Sequence, residues 1–235
     1  ATLSWWQLLI GHLEFRNLTV VAPVLDFKRD KQGRLFLADL PLDGGGDFRI
    51  DSLLEQGEMV LTSEQLTWTD SLRDSPPLAL RDVDFRLRSN GARHRLDLSF
   101  TPPEALGAPF KGRIDWIGRS FADWHQWKSS VTLKINFIDL AGWRAWVDYP
   151  VKLNQGRGKL NLKLEATGLD LTHAEGTLAL TDLKIRLAPD LDELVLQQAR
   201  TQLLFQKRNE GQMTQLALND FAFTDGQGKS EPESD

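Results

Sequence analysis

The sequence predicts a mainly β protein that repeats one short unit, and three observations carry the prediction. Apolar and polar residues alternate in short runs along most of the chain, the period that places side chains on one face of a strand. Turn residues divide these runs at a spacing of about ten residues, as in all-β folds. One pattern also recurs: Leu178-Ala-Leu-Thr-Asp-Leu-Lys-Ile-Arg-Leu187 has copies in Leu78-Ala-Leu-Arg-Asp-Val-Asp-Phe-Arg-Leu87, Leu216-Ala-Leu-Asn-Asp-Phe-Ala-Phe223 and Leu13-Glu-Phe-Arg-Asn-Leu-Thr-Val20. Each copy holds two alternating runs one residue out of phase, with Asp182, Asp82, Asp220 or Asn17 at the junction. Both runs face one side only if a bulge absorbs the extra residue. An Asx-type bond from the aspartate to neighbouring N–H groups is the expected device for that bend.

Taken in order, residues 2–10 read as a short amphipathic helix, followed by strands at 12–20, 24–28 and 35–38, with a turn at 29–33 where Gly33 supplies positive φ. The loop 41–47 with its three glycines lacks the Lys-Ser/Thr and the helix of a phosphate cradle and reads as a linker. Strands resume at 48–53, 58–62, 65–69, 78–88, 93–100 and 112–117. Asn90-Gly91 between two alternating runs predicts an antiparallel hairpin of 83–88 with 93–98. Trp124 and Trp127 suggest a helical turn or an aromatic-anchored loop at 121–128, before a strand at 131–137. Residues 139–149 read as a helix capped by Asp139 and stopped by Pro150, with Leu140, Trp143, Trp146 and Val147 on one face. That helix packs on the sheet or plugs its end, or else serves as a lid or membrane-facing element. Strands return at 159–166, 176–187, 199–207 and 212–218, and a loop through Gly168 and His173 joins the first two. Residues 225–235, free of apolar residues, are expected to be disordered, leaving 1–224 as the folded segment.

Composition excludes several functions. A length of 235 residues with 41% hydrophobic and 26% charged residues describes a folded chain with a core. A net charge of −5 without a basic run argues against nucleic acid. The absence of cysteine removes disulfides, thiolate metal sites and a cysteine nucleophile together. No apolar run approaches the roughly 18 to 20 residues of a membrane helix, and Trp5-Trp6-Gln7-Leu8-Leu9-Ile10 is too short and lacks the cationic flank of a signal peptide. The chain begins inside what reads as folded sequence, so it is expected to be a piece of a longer protein.

No catalytic residue emerges. His12, His94, His125 and His173 lie in separate segments without metal-ligand spacing, and hydrolase and nucleotide fingerprints are missing. The repeated aspartates share a place in each copy, which implies a backbone role and not an acid–base pair. No metal or cofactor is called for. Eight tryptophans suit core and edge packing or the wall of a lipid or sugar site.

The alternation is the remaining clue. A run such as Lys159-Leu-Asn-Leu-Lys-Leu-Glu-Ala166 is half apolar and half polar, as in a sheet with one wet face. With few helices to cover it, the apolar face must meet a second sheet, curl on itself, or meet something that is not protein. An apolar trough would carry acyl chains through water without the cost, on the order of 10 kcal/mol for sixteen or so carbons, of exposing them.

Several patterns together resemble the AsmA-like family, within it the YhdP branch. They are Ile50-Asp-Ser-Leu-Leu-Glu-Gln-Gly57, Gln65-Leu-Thr-Trp-Thr-Asp70, Pro76-Pro-Leu-Ala-Leu-Arg-Asp-Val83, Gly91-Ala-Arg-His-Arg-Leu96 with Pro102-Pro103, Asp139-Leu-Ala-Gly-Trp-Arg-Ala-Trp146, Gly156-Arg-Gly158 and residues 178–187. Leu18-Thr-Val-Val-Ala-Pro-Val-Leu-Asp-Phe27 followed by Arg29-Asp-Lys-Gln-Gly33 fits the AsmA-like strand and turn. The resemblance covers most of residues 10–205. It implies a curved, groove-like, mostly antiparallel sheet with one or two short helices. It also implies a periplasmic location, tethering to the inner membrane through parts of the full-length protein absent here, and passage of phospholipid towards the outer membrane. The expected groove-lining residues are Ile135, Phe137, Leu160, Leu162, Leu164, Leu178 and Leu180, with phospholipid as partner and no enzymatic activity. The competing expectation is a structural module of the envelope whose apolar face is closed by its own second sheet.

Overall fold

In a computed structural model, residues 17–41, 51–55, 57–149, 151–186, 190–208, 213–225 and 230–231 are described. Alternation along the chain becomes thirteen strands among these residues: β1 (Asn17–Arg29), β2 (Leu35–Leu37), β3 (Leu40–Pro41), β4 (Glu58–Asp70), β5 (Leu78–Asn90), β6 (Arg93–Thr101), β7 (Phe110–Ile117), β8 (Lys128–Asp139), β9 (Lys152–Thr167), β10 (Asp170–Arg186), β11 (Leu194–Arg208), β12 (Met213–Asp225) and β13 (Ser230–Glu231). They form one open sheet in the order β13-β12-β11-β10-β9-β8-β7-β6-β5-β4-β1-β2-β3. Every pairing is antiparallel except β1 with β4, so the fold is the curved, mostly antiparallel sheet expected. A one-turn helix, α1 (Ser52–Glu55), lies in the crossover that makes β1 and β4 parallel.

The phase shift within each repeat is resolved by a bulge. Register slips between Arg81 and Asp84, between Thr181 and Lys184, and opposite Arg200 and Gln202, where β12 carries Asp220. At each slip the aspartate takes a left-handed backbone: φ is 51° at Asp82, 52° at Asp182 and 50° at Asp220. As a result Leu78, Leu80 and Val83 share one buried cluster, and Leu180, Leu183 and Ile185 share another. The expected bond to backbone N–H is replaced by a conformational role, because Asp and Asn enter the left-handed region more readily than other L residues. Asp220 in addition accepts a hydrogen bond from the Gln202 amide. Replacing Asp182 by valine should therefore lower stability by about 1 to 2 kcal/mol, while glycine should leave it nearly unchanged. Urea unfolding of the two variants distinguishes these outcomes.

Several expected elements change. Residues 12–16 of the first expected strand lie outside the described residues, its remainder and the strand at 24–28 join within β1, and those at 58–62 and 65–69 join into β4 through buried Ser63, whose hydroxyl donates to Gln65 O at 2.7 Å. Leu53, expected at the end of a strand, lies in α1. The helix 2–10, the loop 42–47 and the turn 209–211 lie outside the described residues. The Asn90-Gly91 hairpin forms as expected, with Asn90 opposite Arg93, Phe85 opposite Leu98 and Gly91 at φ 60°. A 3-10 turn at Phe121–Gln126 is capped by the Ser120 hydroxyl. His173, expected in a loop, lies in β10. In the tail expected to be disordered, Asp225 closes β12, and Ser230–Glu231 pairs with Phe223 and Thr224.

The helix expected over 139–149 shrinks to one 3-10 turn, Gly142–Ala145. Asp139 does cap it, its carboxylate accepting the Gly142 N–H at 2.9 Å. Two indoles explain why it goes no further: Trp143 Nε1 donates to Leu106 O at 3.1 Å and Trp146 Nε1 to Pro76 O at 3.0 Å. These bonds stretch the segment across neighbouring connections as a strap. Its four apolar residues consequently do not share a face. Trp143 and Trp146 pack on one cluster, Leu140 on another, and Val147 is exposed.

Candidate functional site: an apolar trough

Pairing register converts the alternation of single strands into continuous rows across the sheet. One row runs Val20, Leu61, Phe85, Leu98, Gly112, Leu133, Leu162, Gly176, Leu203, Leu218, each opposite the next, through ten strands. The adjacent row runs Leu18, Met59, Leu87, Leu96, Ile114, Val131, Leu164, Ala174, Phe205. Neither contains a polar side chain. Nine intervals of about 4.8 Å make the first row about 43 Å long, measured across the strands. No member of it is fully buried, and Leu218 at its end is 51% exposed. The sheet thus does not close a second layer over this row.

Apolar cover is concentrated at the strand ends. The connections 71–77 and 102–109 and the segment 140–149 lie at the end where the aspartate bulges sit. There Leu25, Leu66, Leu78, Leu80 and Val83 are buried beneath Leu106, Trp143 and Trp146. The strap's other side chains, Leu140 and Tyr149, pack with Leu153, Leu183, Leu196 and Ala199 of β9 to β11. One segment therefore borders both halves of the sheet. Burial raises the Tyr149 phenol above its ordinary pKa, and the Asp139 charge adds to the effect. At the opposite strand ends, Leu54 of α1 is buried against Leu87 and Trp116, with Phe121 and Trp127 beside them. Asp51 ties this cover together, accepting the Ser120 hydroxyl at 2.9 Å and the Phe121 N–H at 2.7 Å. His94, buried here, bonds the Ser89 hydroxyl and Gly118 O and stacks on Trp116. A carbonyl only accepts, so Nε2 carries the proton. The histidine is packing, not chemistry.

Electrostatics anchor the strap. Asp70, buried at the end of β4, accepts from Arg29 through both carboxylate oxygens and from the Leu72 and Arg73 backbone N–H groups at 3.2 Å. Arg73 in turn forms a two-pronged pair with Asp148 of the strap. The Arg29 hydrogen bonds hold the Asp70 carboxyl below the usual range; burial opposes them, and the Arg73 and Leu72 N–H groups support them. A carboxyl with a depressed folded-state pKa contributes stability above its unfolded pKa of about 4, and that contribution disappears as pH falls towards the folded value. Acid unfolding should thus show Asp70→Asn less stable at neutral pH and with a shallower loss of stability below about pH 4.

Of the seven groove-lining candidates, six share the face of the two rows. Ile135 and Leu178 flank Leu160 in one rung, Leu162 and Leu164 belong to the rows themselves, and Leu180 sits opposite Gly158. Phe137 does not. Between Ile135 and Ile138 strand β8 bulges, leaving Phe137 beside Asn136 outside the row and 39% exposed. The reading by single strands missed the β4 to β7 half of the face, including Leu61, Phe85, Leu98 and Ile114. Their alternation was visible in sequence, but only the register joins them to Leu133 and Leu162. The reverse face is polar, with Arg88 bonded to Glu58 and Asp97, Arg113 to Asp97, and Arg95 to Asp115 at 2.7 to 3.1 Å.

No group of three or more His, Cys, Asp or Glu among the described residues is placed to hold a metal ion. No helix among them is long and apolar enough to cross a membrane. No curated protein and no solved structure matches the chain. A family model described as YhdP protein matches residues 1–235, in keeping with the motifs distributed along the sequence. The chain therefore belongs to the YhdP family, a membership that points to a protein of the cell envelope.

Proposed function

We propose that the chain is a length of a periplasmic conduit that shields phospholipid acyl chains between the inner and outer membranes. Its tether to the inner membrane would lie in other parts of the full-length protein. The observation that supports this reading is the unbroken row from Val20 to Leu218, apolar at every position and never fully buried. Surface of this kind lowers the free energy of a hydrocarbon chain by about 0.8 kcal/mol for each methylene it takes from water. Such shielding needs length and sidedness and no reactive group.

Photocrosslinking in cells tests it. A benzophenone side chain at Leu162 or Leu178 should capture phospholipid, and one at Lys163, on the polar face, should not. Equal capture at all three positions, or none at Leu162 and Leu178, would favour a structural module of the envelope instead. The fully buried clusters at the strand ends are the observation that keeps that second reading in view.

A further inference from the structure

On the polar face, opposite the trough, two ion-pair networks cross the strands, while Arg86, Lys128, Lys159 and Arg200 make no ion pair among the described residues. Glu58, Arg88, Asp97 and Arg113 form a chain of alternating sign over β4 to β7, and Lys163 lies between Glu165 and Glu175 on β9 and β10. Between these two networks two like charges face each other. Lys111 of β7 and Lys134 of β8 are direct register partners on that face. Directly opposed side chains have Cβ atoms about 4.5 to 5.5 Å apart, and like charges there destabilise the sheet. Both ammonium groups lack an ion-pair or hydrogen-bond partner among the described residues. The two lysines line an open recess of about 520 Å³ together with Ser99, Thr132, Arg113 and two carboxylates, Asp84 and Asp97. Asp84 makes no ion pair with either lysine, and Arg113 is held by Asp97.

We propose that this recess is an anion site for a phosphate group, in which Lys111 and Lys134 share the charge and the Ser99 and Thr132 hydroxyls donate to its oxygens. Two ammonium groups carried side by side by paired strands repel each other and are complementary to a single dianion placed between them. Phosphate chemistry suits them because a tetrahedral oxyanion presents oxygens to both lysines and to the two hydroxyls at once. Inorganic phosphate and a phosphomonoester such as a headgroup fragment share this chemistry. The site is separate from the acyl-chain trough, since the sheet itself lies between them.

The test is side-chain lysine NMR on the whole 235-residue chain at constant ionic strength, titrated with inorganic phosphate in one arm and glycerol phosphate in the other. The expected result is saturable shifts at Lys111 and Lys134 with one midpoint, while Lys128 and Lys159 stay still, and loss of saturation in Lys111→Gln and in Lys134→Gln. A midpoint at least about tenfold lower for glycerol phosphate would assign the source to a phosphorylated headgroup, and equal midpoints to free phosphate. Saturating phosphate should also raise Tm by on the order of 5 °C in the native chain but not in the variants. Unsaturating shifts of similar size at every lysine, or titrations unchanged in both variants, would overturn the proposal.

Discussion

Gly158→Ala should cost more than about 4 kcal/mol in unfolding free energy, a loss in the exceptional range for one substitution. A Cβ at position 158 would lie 2.0 Å from Ala179 O and 2.8 Å from Leu180 Cα, both backbone atoms of the paired strand β10. Nothing flexible is available to yield, so β9 and β10 must separate locally, and the ladder hydrogen bonds around Gly158 and Leu180 go with them. Gly112→Ala is the control. Its added Cβ would meet only the ends of Phe110, Leu133 and Leu98 side chains, at 3.2 to 3.3 Å. Rotamer adjustment there should hold the cost below about 1.5 kcal/mol. Equilibrium urea unfolding of the two variants measures the difference. Similar losses in both would mean that the close approach of β9 to β10 is not what requires glycine.

The second large effect concerns lipid. Leu162→Glu and Leu203→Glu each place a carboxylate in the middle of the apolar row, at positions on neighbouring sides of Gly176. If three or four methylenes of a bound chain lose their contact, affinity falls by about 3 kcal/mol, or roughly a hundredfold. Excluding water from the new charge adds to that cost. The fold should survive, because these positions are only half-buried and leave the carboxylate in contact with water. Native mass spectrometry of the purified chain should show copurified phospholipid in the native protein and in Thr177→Glu, whose side chain lies on the polar face. It should show little or none in the two leucine variants. Unchanged lipid in Leu162→Glu and Leu203→Glu, with folding intact, would remove the trough as the carrier.

The parity of each repeat was legible in sequence because it depends only on neighbours. Leu178 and Leu180 fall out of phase with Leu183 and Ile185, and one extra residue at Asp182 is the sole remedy. The Asn90-Gly91 hairpin was legible for the same reason. Partner choice was not. Nothing local tells β1 to pair in parallel with β4, since alternation is satisfied by either direction and the crossover through α1 leaves no periodic mark. The strap was half legible. Asp139 announced its cap, but the indole bonds of Trp143 and Trp146 to Leu106 O and Pro76 O come from connections far away in sequence, and they oppose the helix that the spacing suggested. Phe137 leaves the row at a bulge without the aspartate signature of the others.

The rows cross the chain direction, and this separates two dimensions that most binding sites couple. Each strand supplies the floor at alternate positions, as β9 does with Leu160, Leu162 and Leu164, so the breadth of the floor is set by how long the strands are. Its extent is set by how many strands there are. Removing one antiparallel hairpin, such as β9 with β10, would shorten the floor by about 10 Å and leave its cross-section as before. Such an architecture behaves as a ruler graduated in strands: reach can be lengthened or trimmed by duplicating or deleting hairpins, with the chemistry of the surface untouched.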